Sequence, residues 1–482
     1  MTGIPAPLCE PISHKNRHII LVIILACAFI GVVDVQIVAI ALPTITNLLN
    51  ASVGQTQWIA TSYVITVLCT VLLFGTISAG VGKGKILRSG ILLFTFSSLA
   101  CGLSTTLPEL IYFRILQGLG ASLMMSVLMA LIIELFPPCE RGRAMGFNTA
   151  VIALGLIVGP SAGGLIVDTA GWPYIFFFNV PVGILLFIGA LHFLPADRIV
   201  DGYRFDDYIG AILLVLLMAA LAMAFNTIAN PPVDMASLGM WLVLDIILLA
   251  VFIRRERFHP RPLLYINIFT DQRFLLPSLS LILYLAATFI LLTGQPFYFQ
   301  GVMGLSPSHI GLIALITPIT MILCAPLFGL LYDRKPWRGY TVTGLVVMGL
   351  AYFGCAVAFH RMEFLLILVA FIATGIGRAI FQGPNVIEIM AAVPPSLQGM
   401  GSGLITTLMY LGIMVGVSLT AILLTTGLIT SGYTGQVLEA GPELLSGIFG
   451  QIMGTGGIIC IIGAVCSYLG ARSGNKKVGE IP

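Results

Sequence analysis

The chain has 482 residues, 58% of them hydrophobic and 9% charged, with a mean hydropathy of +1.05, a composition no water-soluble domain could carry and still keep its surface wet. It reads as a polytopic membrane protein. A net charge of +3, from 23 basic and 20 acidic residues, makes no field for nucleic acid. Nine cysteines without a C-x-x-C pair exclude a disulfide frame or zinc ribbon and read as small hydrophobes packed in helices.

Apolar runs long enough to cross ~30 Å of hydrocarbon as a helix fall near 19–43, 54–79, 87–105, 108–136, 143–168 and 174–194, then 208–229 and 237–253, then 274–300, 307–332, 339–359, 363–392, 399–427 and 444–470. The plan is six spans, a pair, and six more. The first span is expected to stay uncleaved. Ala39-Ile40-Ala41 imitates a signal-peptidase site, but the apolar stretch before it is too long for a signal peptide and carries Asp34. With the amino terminus cytoplasmic, twenty of the 23 Lys and Arg fall in inner segments, Arg361 lies outside, and Arg114 and Arg378 sit within spans. That alternation predicts two cytoplasmic termini and an even number of spans. The expected domains are a bundle over 1–195, two additional spans with linkers over 196–272, and a second bundle with its tail over 273–482.

Loops are too short for an extramembrane catalytic domain. H-E-x-x-H, G-x-S-x-G and P-loop patterns are absent, so neither an enzyme, nor ATP drive within the chain, nor a cofactor is expected. His14 and His18, beside Lys15 and Arg17, read as a basic flank and not a metal pair, and no metal site is expected. The two sets of six spans are related internally. Gly75-Thr-Ile-Ser-Ala79-Gly80 aligns with Gly329-Leu-Leu-Tyr-Asp333-Arg334, and Arg114-Ile-Leu-Gln117-Gly118 parallels Arg378-Ala-Ile-Phe-Gln382-Gly383 with one residue inserted. Two related six-helix halves suggest a transporter whose site lies between them near the midplane.

Asp34 stands about two thirds of the way along the first span, where a bare charge costs at least ~2.5–3.5 kcal/mol, and such residues usually face a bundle interior and mark ion, proton or substrate pathways. At 1.5 Å per residue it lies about 22 Å from the start of span 1, and Arg114 lies about 9 Å from the outer end of span 4. Their depths agree, so the two are expected to interact. The pair is either a proton-coupling device or a static bond between two helices. Arg378, about 22 Å down span 12, has no acid near it in the carboxy-terminal core except Glu388 near the inner end. Two uses are open for it: satisfying carbonyls in a glycine-rich neighbourhood, or binding cargo. Asp245 belongs to the extra pair, and Glu134, Asp168 and Glu388 near helix ends read as capping, interfacial or packing groups.

Span 5 carries Gly155-Leu-Ile-Val-Gly159-Pro160-Ser-Ala-Gly163-Gly164, with glycine at every fourth position, so that bare backbone lies along one face, and a proline that removes a backbone donor. The whole pattern resembles the antiporter motif of drug:proton exporters in the major facilitator superfamily. Asp34-Val-Gln-Ile-Val-Ala-Ile-Ala-Leu-Pro43 and Trp58-Ile-Ala-Thr-Ser-Tyr63 resemble the first- and second-span signatures of its fourteen-span branch. Arg114-Ile-Leu-Gln117-Gly118-Leu-Gly120-Ala121 is similar to its fourth-span motif, and Gly171-Trp172-Pro-Tyr174-Ile-Phe-Phe-Phe-Asn179-Val-Pro181-Val-Gly183 to the segment joining spans 5 and 6.

The resemblance implies an all-α membrane protein of the major facilitator fold, with fourteen transmembrane helices as two six-helix bundles and two helices between them. It implies a proton-coupled exporter of lipophilic or amphipathic small molecules in the plasma membrane, with Asp34 and Arg114 coupling protons. Its partners would be cargo, protons and the bilayer, with a monomeric chain and no nucleic acid. Candidates for the cargo cavity are Tyr63, Gln117, Arg378, Gln382 and Tyr410, and Asp333 and Arg334 would form a gating loop. The sequence departs from the pattern at Ala79 and Gly80, where the family has an acid followed by a base, and at Pro173, where it usually has a basic residue. The stretch 307–332 holds no acid, which disfavours dicationic cargo. An exporter or exchanger of an organic anion or metabolite is the alternative.

Overall fold

A computed structural model describes residues 16–136, 138–194, 207–229, 234–259, 264, 266–334, 337, 339–393, 398–433, 435 and 437–473. Sixteen α-helices follow one another: α1 (Arg17–Leu48), α2 (Val53–Val81), α3 (Lys83–Leu103), α4 (Leu107–Leu135), α5 (Pro138–Thr169), α6 (Tyr174–Phe177), α7 (Asn179–Phe193), α8 (Tyr208–Ala229), α9 (Met235–Phe258), α10 (Gln272–Gly301), α11 (Pro307–Ala314), α12 (Ile316–Arg334), α13 (Gly339–Arg361), α14 (Phe364–Ala391), α15 (Gln398–Thr430) and α16 (Pro442–Ser473).

Fourteen spans become sixteen helices because two spans are broken, and proline explains both breaks. Pro181 and Pro318 have no N–H for the carbonyls of Phe177 and Ala314 four residues earlier, where α6 and α11 end. With each broken pair counted once, thirteen helices among the described residues are long and apolar enough to cross a membrane. The 32-residue α5 supplies the remaining span. Helix starts are built locally. The Ser52 hydroxyl accepts from Gln55 N while Gln55 Oε1 accepts from Ser52 N at 2.9 Å, and Thr106 with Glu109 repeats this capping box at α4.

Helices α1–α7 form one half and α10–α16 the other, with repeated packing. In the first half α4 lies against α2 and α3, and in the second α14 lies against α12 and α13. The close seams recur as well: a Cβ on Gly120 would come within 2.5 Å of Phe94 N, and one on Gly377 within 2.8 Å of Gly344 O. The remaining pair breaks the symmetry. Helix α8 rests on α2 and on α15, one from each half, while α9 packs on α8. Arg255 Nε donates to Asp207 Oδ1 at 3.1 Å and ties the two together.

The halves meet at the end of the bundle away from Arg17. There α5 packs against α11 and the outer parts of α1 and α2 against α10 and α15. Gln57 Nε2 donates to the carbonyl of Val417 at 3.3 Å, and Ser308 Oγ to Asp168 Oδ2 at 2.8 Å.

Candidate functional site

Five helices converge on Asp34, which is 2% exposed in the middle of α1. From α4, Arg114 Nη1 donates to Asp34 Oδ2 at 2.6 Å. One turn on, Gln117 Nε2 donates to Asp34 Oδ1 at 2.9 Å and to Ser98 Oγ of α3 at 2.8 Å. Asn179, the first residue of α7, donates to Asp34 Oδ1 at 2.9 Å. Asn179 reaches inward from the break before Pro181, so the backbone interruption delivers a polar side chain to the centre of the half. The carboxylate thus accepts from one guanidinium and two amides.

Arg114 is fully enclosed. Its Nε donates to the carbonyl of Ile59 on α2 at 2.9 Å and Nη1 also donates to Gln117 Oε1 at 2.6 Å. Its guanidinium carbon lies 4.2 Å from the centre of the Tyr63 ring, a cation–π contact, and 5.8 Å from that of Phe176. Around this centre the buried atoms Arg114 Nη2, Asn179 Oδ1 and Tyr63 OH make no hydrogen bond among the described residues. The network therefore holds one charge pair tightly and keeps donors and an acceptor for a second arrangement.

The candidate cavity residues fall into two groups. Tyr63 and Gln117 are fully buried in the Asp34 network. Arg378 and Gln382 are half-buried on α14 and meet through α10: Arg378 Nε donates to the Tyr284 hydroxyl at 3.2 Å, and that hydroxyl donates to Gln382 Oε1 at 3.2 Å. Tyr410, on α15, is half-buried and packs against the core of the first half, so it bridges the halves.

The glycine-rich stretch of α5 is a two-sided seam. A Cβ on Gly155 would come within 3.0 Å of Val32 Cγ1, one on Gly159 within 2.5 Å of Gln36 Cβ, and one on Gly163 within 3.1 Å of Ile37 Cα, all on α1. On its other side, Gly164 abuts the Pro307 carbonyl and Gly311 abuts that of Pro160, so α5 also closes on α11 of the second half. The α1 segment against this seam is the one that bears Asp34.

The side chains of Asp333 and Arg334, at the end of α12, lie outside the described residues, as does that of Ala79. Where the first loop departs from the family pattern, Lys83 Nζ pairs with Glu134 Oε2 at 2.7 Å and links the start of α3 to the end of α4. Asp245 lies on α9, outside both halves, and neither of its buried carboxylate oxygens has a hydrogen-bond partner among the described residues. No cluster of three or more potential metal ligands occurs among the described residues. Ser98 and Asn179 are the partners that sequence reasoning did not single out as site residues. Asn179 lay within a quoted motif, but Ser98 carried no signal.

An all-helical chain in two halves, with a buried ion pair in one and a closed seam between them, has the architecture of a secondary transporter. The Major Facilitator Superfamily profile matches residues 24–417, and the chain belongs to that superfamily. It is 30% identical over 406 residues to the riboflavin transporter RibZ of Clostridioides difficile (strain 630), covering 83% of this chain and 87% of that protein. It is also 30% identical over 393 residues to the multidrug resistance protein Stp of Mycobacterium tuberculosis (strain H37Rv), covering 80% and 72% respectively. Among solved structures, a bacterial homologue of the human lysosomal transporter Spinster, inward-facing and unoccupied, superposes with a TM-score of 0.70 over 96% of this chain and 98% of that one. At 15% identity this likeness concerns the fold.

Proposed function

We propose that the chain is a proton-coupled exporter of amphipathic small molecules, working by alternating access in the plasma membrane with both termini in the cytoplasm. The observation that carries this reading is the fully buried Asp34–Arg114 pair, 2.6 Å apart, inside a membrane-spanning bundle. The names of two relatives, one a riboflavin transporter and one a multidrug resistance protein, favour small organic cargo.

The coupling follows from charge. With Asp34 ionised, Arg114 is neutralised and α1 is bound to α4 and α7. A proton on Asp34 cancels the pair and leaves an unneutralised buried guanidinium, a situation that costs about 3–5 kcal/mol when one partner of such a pair is lost. Arg114 keeps the Ile59 carbonyl and Gln117 Oε1 as acceptors, but α1 is no longer held to it by charge. Because α1 touches the α5 seam only two residues from Asp34, at Gln36, loosening α1 reaches the surface where the halves close. Rocking of the halves then exposes the interior to the opposite side.

The test is a proteoliposome assay with an imposed pH gradient and a fluorescent lipophilic cargo, proton movement being read with an internal pH dye. Wild-type protein is expected to move protons against cargo, and Asp34→Asn to abolish that exchange while still binding cargo. Full proton-driven transport by Asp34→Asn would sink the proposal.

A further inference from the structure

Arg378 occupies the place in the second half that Arg114 occupies in the first, but its surroundings differ in one respect. No carboxylate among the described residues lies within 4 Å of it, and its single hydrogen bond goes from Nε to a neutral phenol, Tyr284. A permanent cation inside a membrane-spanning bundle ordinarily pairs with an acid or with backbone carbonyls, and Arg378 does neither. Its two terminal nitrogens make no hydrogen bond among the described residues and are not sealed in.

The neighbouring groups add donors and remove acceptors. Tyr284 gives its hydroxyl proton to Gln382 Oε1 and accepts from Arg378, which leaves the Gln382 amide N–H groups beside the guanidinium with their carbonyl already engaged. A half-buried cluster that offers Arg378 Nη1, Arg378 Nη2 and Gln382 Nε2 as donors is complementary to an anion.

The direction in which the cluster faces narrows the source of that anion. The exposed residues Val369 and Ile387 mark the lipid side of α14, and each lies nine residues from Arg378, about half a turn round the axis at roughly 100° per residue. Arg378 therefore leaves the helix on the side away from these exposed residues, toward Tyr284 of α10.

We propose that Arg378 is a cargo-binding residue that docks a carboxylate or equivalent organic anionic group, with Tyr284 and Gln382 orienting its guanidinium. The proposal rests on cargo passing between the two halves and is independent of how protons are coupled. It assigns the halves different tasks: the first supplies its own anion to its arginine, and the second receives its anion from the cargo.

The test uses the purified full-length chain in detergent and two dyes on one xanthene frame, anionic fluorescein and cationic rhodamine 123, with fluorescence anisotropy as the readout. Fluorescein is expected to bind wild-type protein saturably and to bind Arg378→Gln about ten- to a hundredfold more weakly, as loss of one charge-assisted bond implies. Arg378→Lys is expected to recover part of the loss, and rhodamine 123 binding is expected not to weaken in Arg378→Gln. The lysine variant, which keeps the charge, also guards against misfolding as the cause. Absence of saturable fluorescein binding to the wild type, equal binding by Arg378→Gln, or displacement of fluorescein by stoichiometric phosphatidylglycerol would each overturn the proposal, the last by assigning the site to a lipid phosphate. Equilibrium binding needs no gradient, so failure here leaves the proton-exchange test on Asp34 standing, and failure there leaves this one standing.

Discussion

The two halves place an arginine, and a glutamine three or four residues later, on corresponding helices, and they treat the arginine in opposite ways. In the first half the partner on α1 is a carboxylate, and Asp34, Arg114 and Gln117 form a closed, fully buried set. In the second half the partner on α10 is a phenol, and Tyr284, Arg378 and Gln382 form an open set with donors to spare. One repeated scaffold thus yields an internal charge pair on one side and an unmet charge on the other. The difference of a single partner residue decides which.

The largest expected effect comes from deleting each arginine. Arg114→Ala leaves Asp34 buried without its cation and is expected to destabilise the chain by about 3–5 kcal/mol, whereas Arg378→Ala, losing one bond to a neutral phenol, is expected to cost no more than about 1.5 kcal/mol. Unfolding titrations of both variants in mixed micelles check the contrast, and equal losses would break it. A second substitution attempts to convert one half into the other. Tyr284→Glu gives Arg378 an internal carboxylate and is expected to weaken fluorescein binding at least about tenfold, since the pair now competes with cargo. Unchanged affinity in that variant would show that the phenol is not what leaves the site open.

Smaller effects probe the packing around the two sites. Gly159→Ala sets a methyl 2.5 Å from Gln36 Cβ in the α5–α1 seam and is expected to cost about 1–3 kcal/mol through overpacking, with a matching fall in transport rate. Gly383→Ala, next to Gln382 with nothing within 4 Å of the new Cβ, is expected to be neutral or to stabilise by about 0.5–1 kcal/mol through helix propensity. Melting temperatures of the two variants read the difference directly.

Much of the architecture was legible because hydrocarbon thickness sets span length, so fourteen spans and the two-half plan follow from counting apolar residues. The meeting of Asp34 and Arg114 followed from a fixed rise per residue. Contacts that depend on helix rotation were harder to read. Gln117 and Tyr63, expected as cavity candidates, lie against the Asp34–Arg114 pair. Gln117 shares a helix face with Arg114, three residues earlier, whereas nothing in the spacing put the Tyr63 ring over the guanidinium. The breaks at Phe177 and Ala314 were also hidden, because Pro43, Pro160, Pro277, Pro296 and Pro384 all sit inside continuous helices. A proline by itself did not say which behaviour it would have, and the inward reach of Asn179 depended on the answer.

Helix α8 lies across the line where α2 and α15 meet, touching both, and nothing in the repeated halves corresponds to it. Any change of angle between the halves must therefore be accompanied by sliding along α8, a shear that the opposite flank, at α5 and α11, does not share. The additional helices make the molecule mechanically lopsided: one edge of the transporter is clad and the other is bare.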